Sequence, residues 1–239
     1  MKDIKMCISS HPVPRRSGTC GRAAKIVETC QGKSVLHLGC ADWPYTERRI
    51  RNGELLHARL ARVCRKLIGV DLSAEGIRLL RSLCPDWELH LADACQFEPD
   101  DHVDLILASE LIEHVEDPGK LLRSLARWAK PGTKLLVTTP NAYALKGTAR
   151  ALLGGEFCHP EHTVMFSTAT LSQLLHRTGW AVGAVDYYHL PARRLLAKIP
   201  SAFVFMLTRV ASPRVADGLI VLASRNGQNG GPSPRNDHA

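Results

Sequence analysis

Aromatic residues are scarce, long apolar runs are missing, and the cysteines stand far apart. Phe, Trp and Tyr make up only 5% of the 239 residues, so a base-stacking surface for RNA is not indicated. No stretch approaches the roughly 18 apolar residues of a membrane span. Arg209, Pro213, Arg214 and Asp217 interrupt the most apolar late region. The opening MKDIKMCISSHPVPRRSG lacks the continuous apolar core of a secretory signal. Cys7, Cys20, Cys30, Cys40, Cys64, Cys84, Cys95 and Cys158 include no C-x-x-C pair, so they read as reduced and mostly buried thiols. A cytoplasmic location is the expectation.

The chain is long enough for one α/β domain with a full core. Its net charge of +8 comes from 31 Lys and Arg against 23 Asp and Glu. That balance admits an anionic partner, whether nucleic acid, membrane or metabolite. The basic residues are spread along the chain, however, as on an ordinary solvated surface.

Short apolar runs alternate with helical periodicity. Strands are expected at 35–38, 67–70, 88–91, 103–108, 134–138, 181–187 and 219–223, and helices at 25–29, 55–65, 74–83, 118–129 and 171–177. This alternation predicts a doubly wound, mostly parallel seven-stranded sheet, a Rossmann-like α/β fold with ligands outside the carboxyl ends of its strands. The expected organisation is an N-terminal arm or helix over 1–24 and one domain over 25–224. A helical insertion or lid over 190–213 precedes the last strand, and a disordered polar tail runs over 225–239. The insertion mixes bulky apolar residues with Arg193, Arg194, Lys198 and Arg209. It could close over an acceptor, rest on an anionic membrane, cover the sheet or form a homodimer contact.

The strand ends carry the chemistry. Gly39 directly follows a strand, where a missing side chain lets the backbone turn and approach a ligand. Asp71 ends the next strand, where a carboxylate can accept both hydrogen bonds of a ribose diol. Its bland role is capping the helix at 74, for which Ser73 is better placed. Asp93, after the third strand, can accept from an adenine amino group or simply form a turn. The G-x-G-x-x-G of dinucleotide enzymes is absent, as is a phosphate-cradling loop with its lysine. A cofactor without phosphates is favoured, and S-adenosylmethionine fits the set.

Over roughly residues 25–187 these segments together resemble the class I S-adenosylmethionine-dependent methyltransferases. LASELIEHVEDP, KPGTKLLVTTPN and EHTVMFSTATLSQLLHRTGW look like the branch of ubiquinone-type and natural-product or glycan-tailoring O-methyltransferases. The resemblance implies a cofactor site of His37, Gly39, Cys40, Ala41, Asp42, Asp71, Leu72, Asp93, Ala94, Ser109 and Glu110. His37 stands where the family usually has an acid, and Ala41 where it has a second glycine. Asp42 is the candidate substitute for the lost acid. The implied reaction is O-methylation of a small-molecule acceptor, with N-methylation, metal-assisted RNA 2′-O-methylation and a non-catalytic cofactor-binding scaffold as alternatives.

Methyl transfer from a sulfonium needs alignment and a base for the acceptor proton. His114, His159, His162 and Glu113 are the candidates. If the segment from Glu110 is helical, Glu110, Glu113 and His114 share one face. Similar Glu-x-x-Glu-His segments bind a divalent ion in some relatives with the help of a later His. The resemblance thus implies a metal such as Mg²⁺ on Glu110, Glu113, His114 and His162, or a role for these residues in holding the cofactor or its loop. HPEH has its own structural alternative, a turn that sends Phe166 to the core and Ser167 to a helix cap.

Overall fold

Every side chain of the strand β2 (Ser34–Leu38) is buried, because helices cover both faces of the sheet that it centres. A computed structural model describes residues 19–152, 154–155, 158–190 and 212–225. Most of the arm over 1–24, nearly all of the insertion over 190–213 and the tail after 225 lie outside these residues.

The strands are β1 (Thr19–Cys20), β2, β3 (Lys66–Asp71), β4 (Glu88–Leu91), β5 (Leu105–Ser109), β6 (Lys134–Pro140), β7 (Trp180–Tyr188) and β8 (Gly218–Arg225). They form one sheet in the order β1-β7-β8-β6-β5-β2-β3-β4. Pairs among β2 to β6 are parallel, while β8 runs antiparallel to both β6 and β7. The seven expected strands are therefore present, in a mixed but mostly parallel sheet, with the two-residue β1 added at the β7 edge. The chain leaves β2 in one direction through β3 and β4 and returns to its other side at β5. The switch point falls between Gly39 and Glu110, where doubly wound sheets hold ligands.

Helices α1 (Arg22–Cys30) and α3 (Leu56–Leu60) pack Ile26, Cys30 and Leu60 on one face against Val35, Leu105, Leu107 and Leu136. Helix α4 (Ala74–Leu83) uses Ile77 and Leu80 to cover Leu89 and the Cys40–Ala41 turn. On the other face α5 (Pro118–Trp128) and α7 (Thr168–Arg177) bring Leu121, Leu122, Leu125, Leu171 and Leu175 onto Leu36, Ile68, Ile106 and Val137. The caps follow the sequence: Ser73, Asp117 and Ser167 each accept a backbone N–H of the first turn.

Several expectations need correction. The helix expected over 55–65 stops at Leu60, because the chain turns there and the Val63 carbonyl accepts from Gly32 N at 2.8 Å. The fifth strand begins at Leu105 rather than 103. Two polar helices escaped the periodicity: α2 (Thr46–Arg51), which buries only Thr46, and α6 (Leu145–Leu152), which buries nothing. Of Cys30, Cys40, Cys64, Cys84, Cys95 and Cys158 only Cys30 and Cys40 are buried; all six are free thiols. No helix among the described residues is long and apolar enough to cross a membrane.

Candidate functional site

At the carboxyl end of β2 the chain turns through Gly39 at φ +72°, and a Cβ there would sit 3.4 Å from the Leu111 side chain. Glycine meets both the dihedral and the close approach. Gly39 N and Cys40 N both donate to the Val70 carbonyl, at 2.8 and 3.2 Å. Asp71, at the end of β3, braces the same turn. Its Oδ2 accepts from Ala41 N at 2.8 Å and its Oδ1 from Ser73 N at 2.9 Å. A carboxylate has about four acceptor positions, so each oxygen keeps one for a ligand.

These groups border a cavity of about 450 Å³ whose lining includes Gly39, Asp71, Leu72, Asp93, Ala94 and His114. Leu72 is 72% exposed on the cavity wall. Asp93 forms its turn: Oδ1 accepts from Cys95 N at 2.8 Å and Oδ2 from Gln96 Nε2 at 3.0 Å. The Cys95 N–H holds this carboxyl below the usual carboxylate range. Asp93 is thus an anion with lone pairs to spare on the cavity wall.

At the ends of β5 and β6 a second set of polar groups converges. Glu110, at φ +51°, accepts from Thr138 Oγ1 and Tyr188 Oη through the same oxygen, each at 2.9 Å. Arg22 reaches that oxygen at 3.3 Å and Ser109 Oγ at 3.5 Å. Asp42, at φ +55°, pairs with Arg49 Nε at 2.7 Å, and burial raises its carboxyl pKa. Arg22 was not a sequence candidate. Its signal was its place in the first turn of α1, where the helix dipole disfavours a cation and a compensating anion is expected.

His37 is placed away from this site. It points to the α1–α3 face, where its Nδ1 meets His57 Nδ1 at 3.1 Å and its ring stacks on the His57 ring. Both rings are buried, and burial lowers both pKa values, that of His57 to about 4. The acid expected two residues before Gly39 has become half of a neutral core pair, absent from the cavity lining.

The expected helical face of Glu110, Glu113 and His114 does not form. Glu110 has a left-handed backbone, and only a single 3₁₀ turn follows, over Ile112–His114. Glu113 is fully buried and turned toward β6, where Oε2 accepts from Thr139 Oγ1 at 2.9 Å and Oε1 has no partner. Burial, then the Glu110 charge, pushes its carboxyl up to about 8. His114 instead meets the HPEH turn. Its ring centroid lies 4.7 Å from that of His162 and 5.8 Å from that of His159. Thr163 fastens this turn, donating its N–H and its hydroxyl to the Glu113 carbonyl at 2.9 and 3.1 Å. The turn also sends Phe166 into the core and Ser167 to the cap of α7.

One ligand nitrogen from each of His114, His159 and His162 lies within 4.8 Å of the others. The edge of a tetrahedral site with bonds of about 2.1 Å is roughly 3.4 Å, so the rings must close somewhat to share an ion. Desolvation lowers the pKa of His114 and His162, which keeps both imidazoles neutral at pH 7 and able to accept a proton or bind a metal.

A sequence profile described as a methyltransferase domain matches residues 17–185. The chain is 28% identical over 160 residues to a probable S-adenosylmethionine-dependent methyltransferase of Mycolicibacterium smegmatis, covering 66% of this chain and 56% of that one. It is 29% identical over 136 residues to a ubiquinone biosynthesis O-methyltransferase of Xanthomonas oryzae pv. oryzae, covering 53% and 50%. The chain thus spans about half the length of the curated relatives it matches. Among solved structures, the fold is similar to that of the N-methyltransferase NodS of Bradyrhizobium japonicum in complex with S-adenosyl-L-homocysteine. The TM-score is 0.53 at 15% identity, over 86% of this chain and 85% of that one.

Proposed function

Because this chain belongs to the class I S-adenosylmethionine-dependent methyltransferase family, we propose that it binds that cofactor in the 450 Å³ cavity and methylates an oxygen of a small-molecule acceptor. The observation that carries the reading is the arrangement of Gly39, Asp71 and Asp93 around one cavity whose rim includes His114. When bound, S-adenosylmethionine supplies an electrophilic methyl group on a sulfonium.

Each residue then has a task. Asp71 accepts from the ribose hydroxyls while its backbone bonds keep it aimed, Leu72 covers the adenine, and Asp93 accepts from the adenine amino group. At the other end Arg22 offers a cation to the methionine carboxylate, and Glu110 and Asp42 offer anions to its ammonium. His114 or His162 takes the acceptor proton, the neutral imidazole being the form that burial favours. Oxygen as the acceptor atom rests on the names of the ubiquinone-type relatives.

Of the four expected metal ligands, only His114 and His162 meet, and His159 joins them. Three imidazoles do not suit Mg²⁺, which takes oxygen ligands, but would suit zinc or a similar first-row ion.

Calorimetric titration of S-adenosylhomocysteine, with and without chelation, tests the reading. Stoichiometric binding in both, weakened at least about tenfold by Asp71→Asn, is the expected result. An absence of binding to the folded wild type in either condition overturns it.

A further inference from the structure

A second reactive feature lies at the amino ends of β2 and β3, opposite the cavity at their carboxyl ends. Cys30 closes α1 and is buried; Cys64 lies in the turn between α3 and β3 and is partly exposed. Two backbone bonds join these segments on either side of the cysteines, Gly32 N to Val63 O at 2.8 Å and Arg65 N to Lys33 O at 2.9 Å. Between them the Cys64 thiol donates to the Cys30 carbonyl at 3.7 Å, which brings it beside the Cys30 side chain. The cysteines therefore face each other across a junction pinned on both sides, within an apolar cluster that includes Ile26 and Leu60.

We infer that Cys30 and Cys64 form an oxidisable pair that hydrogen peroxide converts into a disulfide, with Cys64 reacting first and Cys30 resolving it. The two thiols differ in the sense that this order requires. The neighbouring Cys30 thiol, helped by the Lys33 charge and opposed by partial burial, holds Cys64 below the usual thiol range. The proximity of Cys64, and then burial, raise Cys30. Elsewhere burial raises Cys40, Cys84 and Cys95, which leaves them poorer nucleophiles.

In the first step the Cys64 thiolate attacks one peroxide oxygen and the O–O bond breaks. Cys64 becomes a sulfenic acid and hydroxide leaves, to be protonated to water. In the second, the Cys30 sulfur attacks the Cys64 sulfur, the S–O bond breaks, and the departing oxygen leaves as water with the Cys30 proton. Two thiols lose two electrons and two protons, and one peroxide becomes two waters. The staple joins positions 34 apart in sequence, at the start of β2 and β3. Arg22 lies at the other end of α1, about 12 Å away at 1.5 Å per residue. The inference is independent of the methyl-transfer reading.

The test treats the purified full chain with a few equivalents of hydrogen peroxide, blocks free thiols by alkylation and maps peptides without reduction. A Cys30–Cys64 linked peptide, two hydrogens lighter than its parts and split by dithiothreitol, is expected, and Cys64→Ser should lack it. Oxidation should raise the melting temperature by about 5–10 °C, from the loop-closure term for a loop of this length. In Cys30→Ser, which keeps a hydroxyl beside Cys64 but cannot resolve it, Cys64 should instead accumulate as a sulfenic acid trapped by dimedone. Oxidation of Cys64 no faster than that of Cys84 and Cys95, or wild-type Cys64 carried to a sulfinic acid without a link, overturns the inference. The wild-type map decides it even if the Cys30 variant folds poorly.

Discussion

Replacing Glu113 by glutamine should stabilise this protein, and by more as the pH rises. The carboxyl is fully buried, its one recorded hydrogen bond comes from Thr139, and its other oxygen has no partner. Its pKa of about 8, against an ordinary 4.5, means that the folded chain keeps a proton that the unfolded chain releases. Between those two values the native state binds more protons than the unfolded one, so stability falls as pH rises through the window. At about 1.36 kcal/mol per pH unit the full difference is about 5 kcal/mol above pH 8, and about 3 kcal/mol at pH 7. Glutamine has the size of the protonated acid and keeps an acceptor for Thr139. Its buried amide nitrogen lacks a partner, which takes back about 1 kcal/mol. The expected net gain is about 2 kcal/mol at pH 7, between 3 and 4, roughly, at pH 8.5, and close to zero at pH 5. Urea unfolding of both proteins at these three pH values measures it, and the histidine titrations common to both cancel in the difference. A gap independent of pH, or a glutamine variant less stable than wild type at pH 8.5, would refute the reasoning.

Three further outcomes are expected. His57 is neutral in the fold, with a pKa lowered to about 4 by burial. The unfolded chain therefore gains a proton first, and stability is lost as pH falls from about 6.5 to about 4, by about 3 kcal/mol. His57→Asn keeps a partner for His37 and should remove the His57 share of that acid limb in the same urea series, leaving the share of the buried His37, although the lost contact with Trp87 lowers stability at pH 7. Arg22→Ala should weaken S-adenosylhomocysteine binding about tenfold or more while leaving adenosine affinity unchanged in calorimetry, because only the former carries a carboxylate for the guanidinium. Gly218→Ala would put a Cβ 2.0 Å from Tyr188 Cζ, and should cost about 2 kcal/mol or more in thermal unfolding and loosen the Tyr188 bond to Glu110.

What the sequence discloses is what neighbours along the chain decide. Buried parallel strands must be short and apolar, so β2, β3 and β5 stand out, and the turn after β2 needs a glycine that can be read directly. Asp71 is legible as an acid at a strand end, but its bracing of the Gly39 turn is not, because the Ala41 N–H it accepts lies 30 residues away. His37 is not legible, because its fate depends on His57, 20 residues away on another element. Glu110 and Glu113 mislead because a residue pattern at helical spacing carries no sign of a left-handed φ at its first member. Helices α2 and α6 bury too little to leave an apolar period, and His159 gains its companions only when Thr163 draws the HPEH turn onto the Glu113 carbonyl.

The reversed direction of β8 has a consequence for how such a protein can diversify. Because β8 is antiparallel to β7, Tyr188 and Gly218 are register partners at the same edge of the sheet, and Asp217 holds the Leu190 backbone there at 2.8 Å. The chain that joins them therefore departs and returns at the carboxyl end of β7. Its length and composition can change without shifting a single sheet hydrogen bond. Insertions between Leu190 and Ser212 should then leave the melting temperature of the sheet nearly unchanged, because the Tyr188–Gly218 register that frames them is set by β7 and β8 themselves.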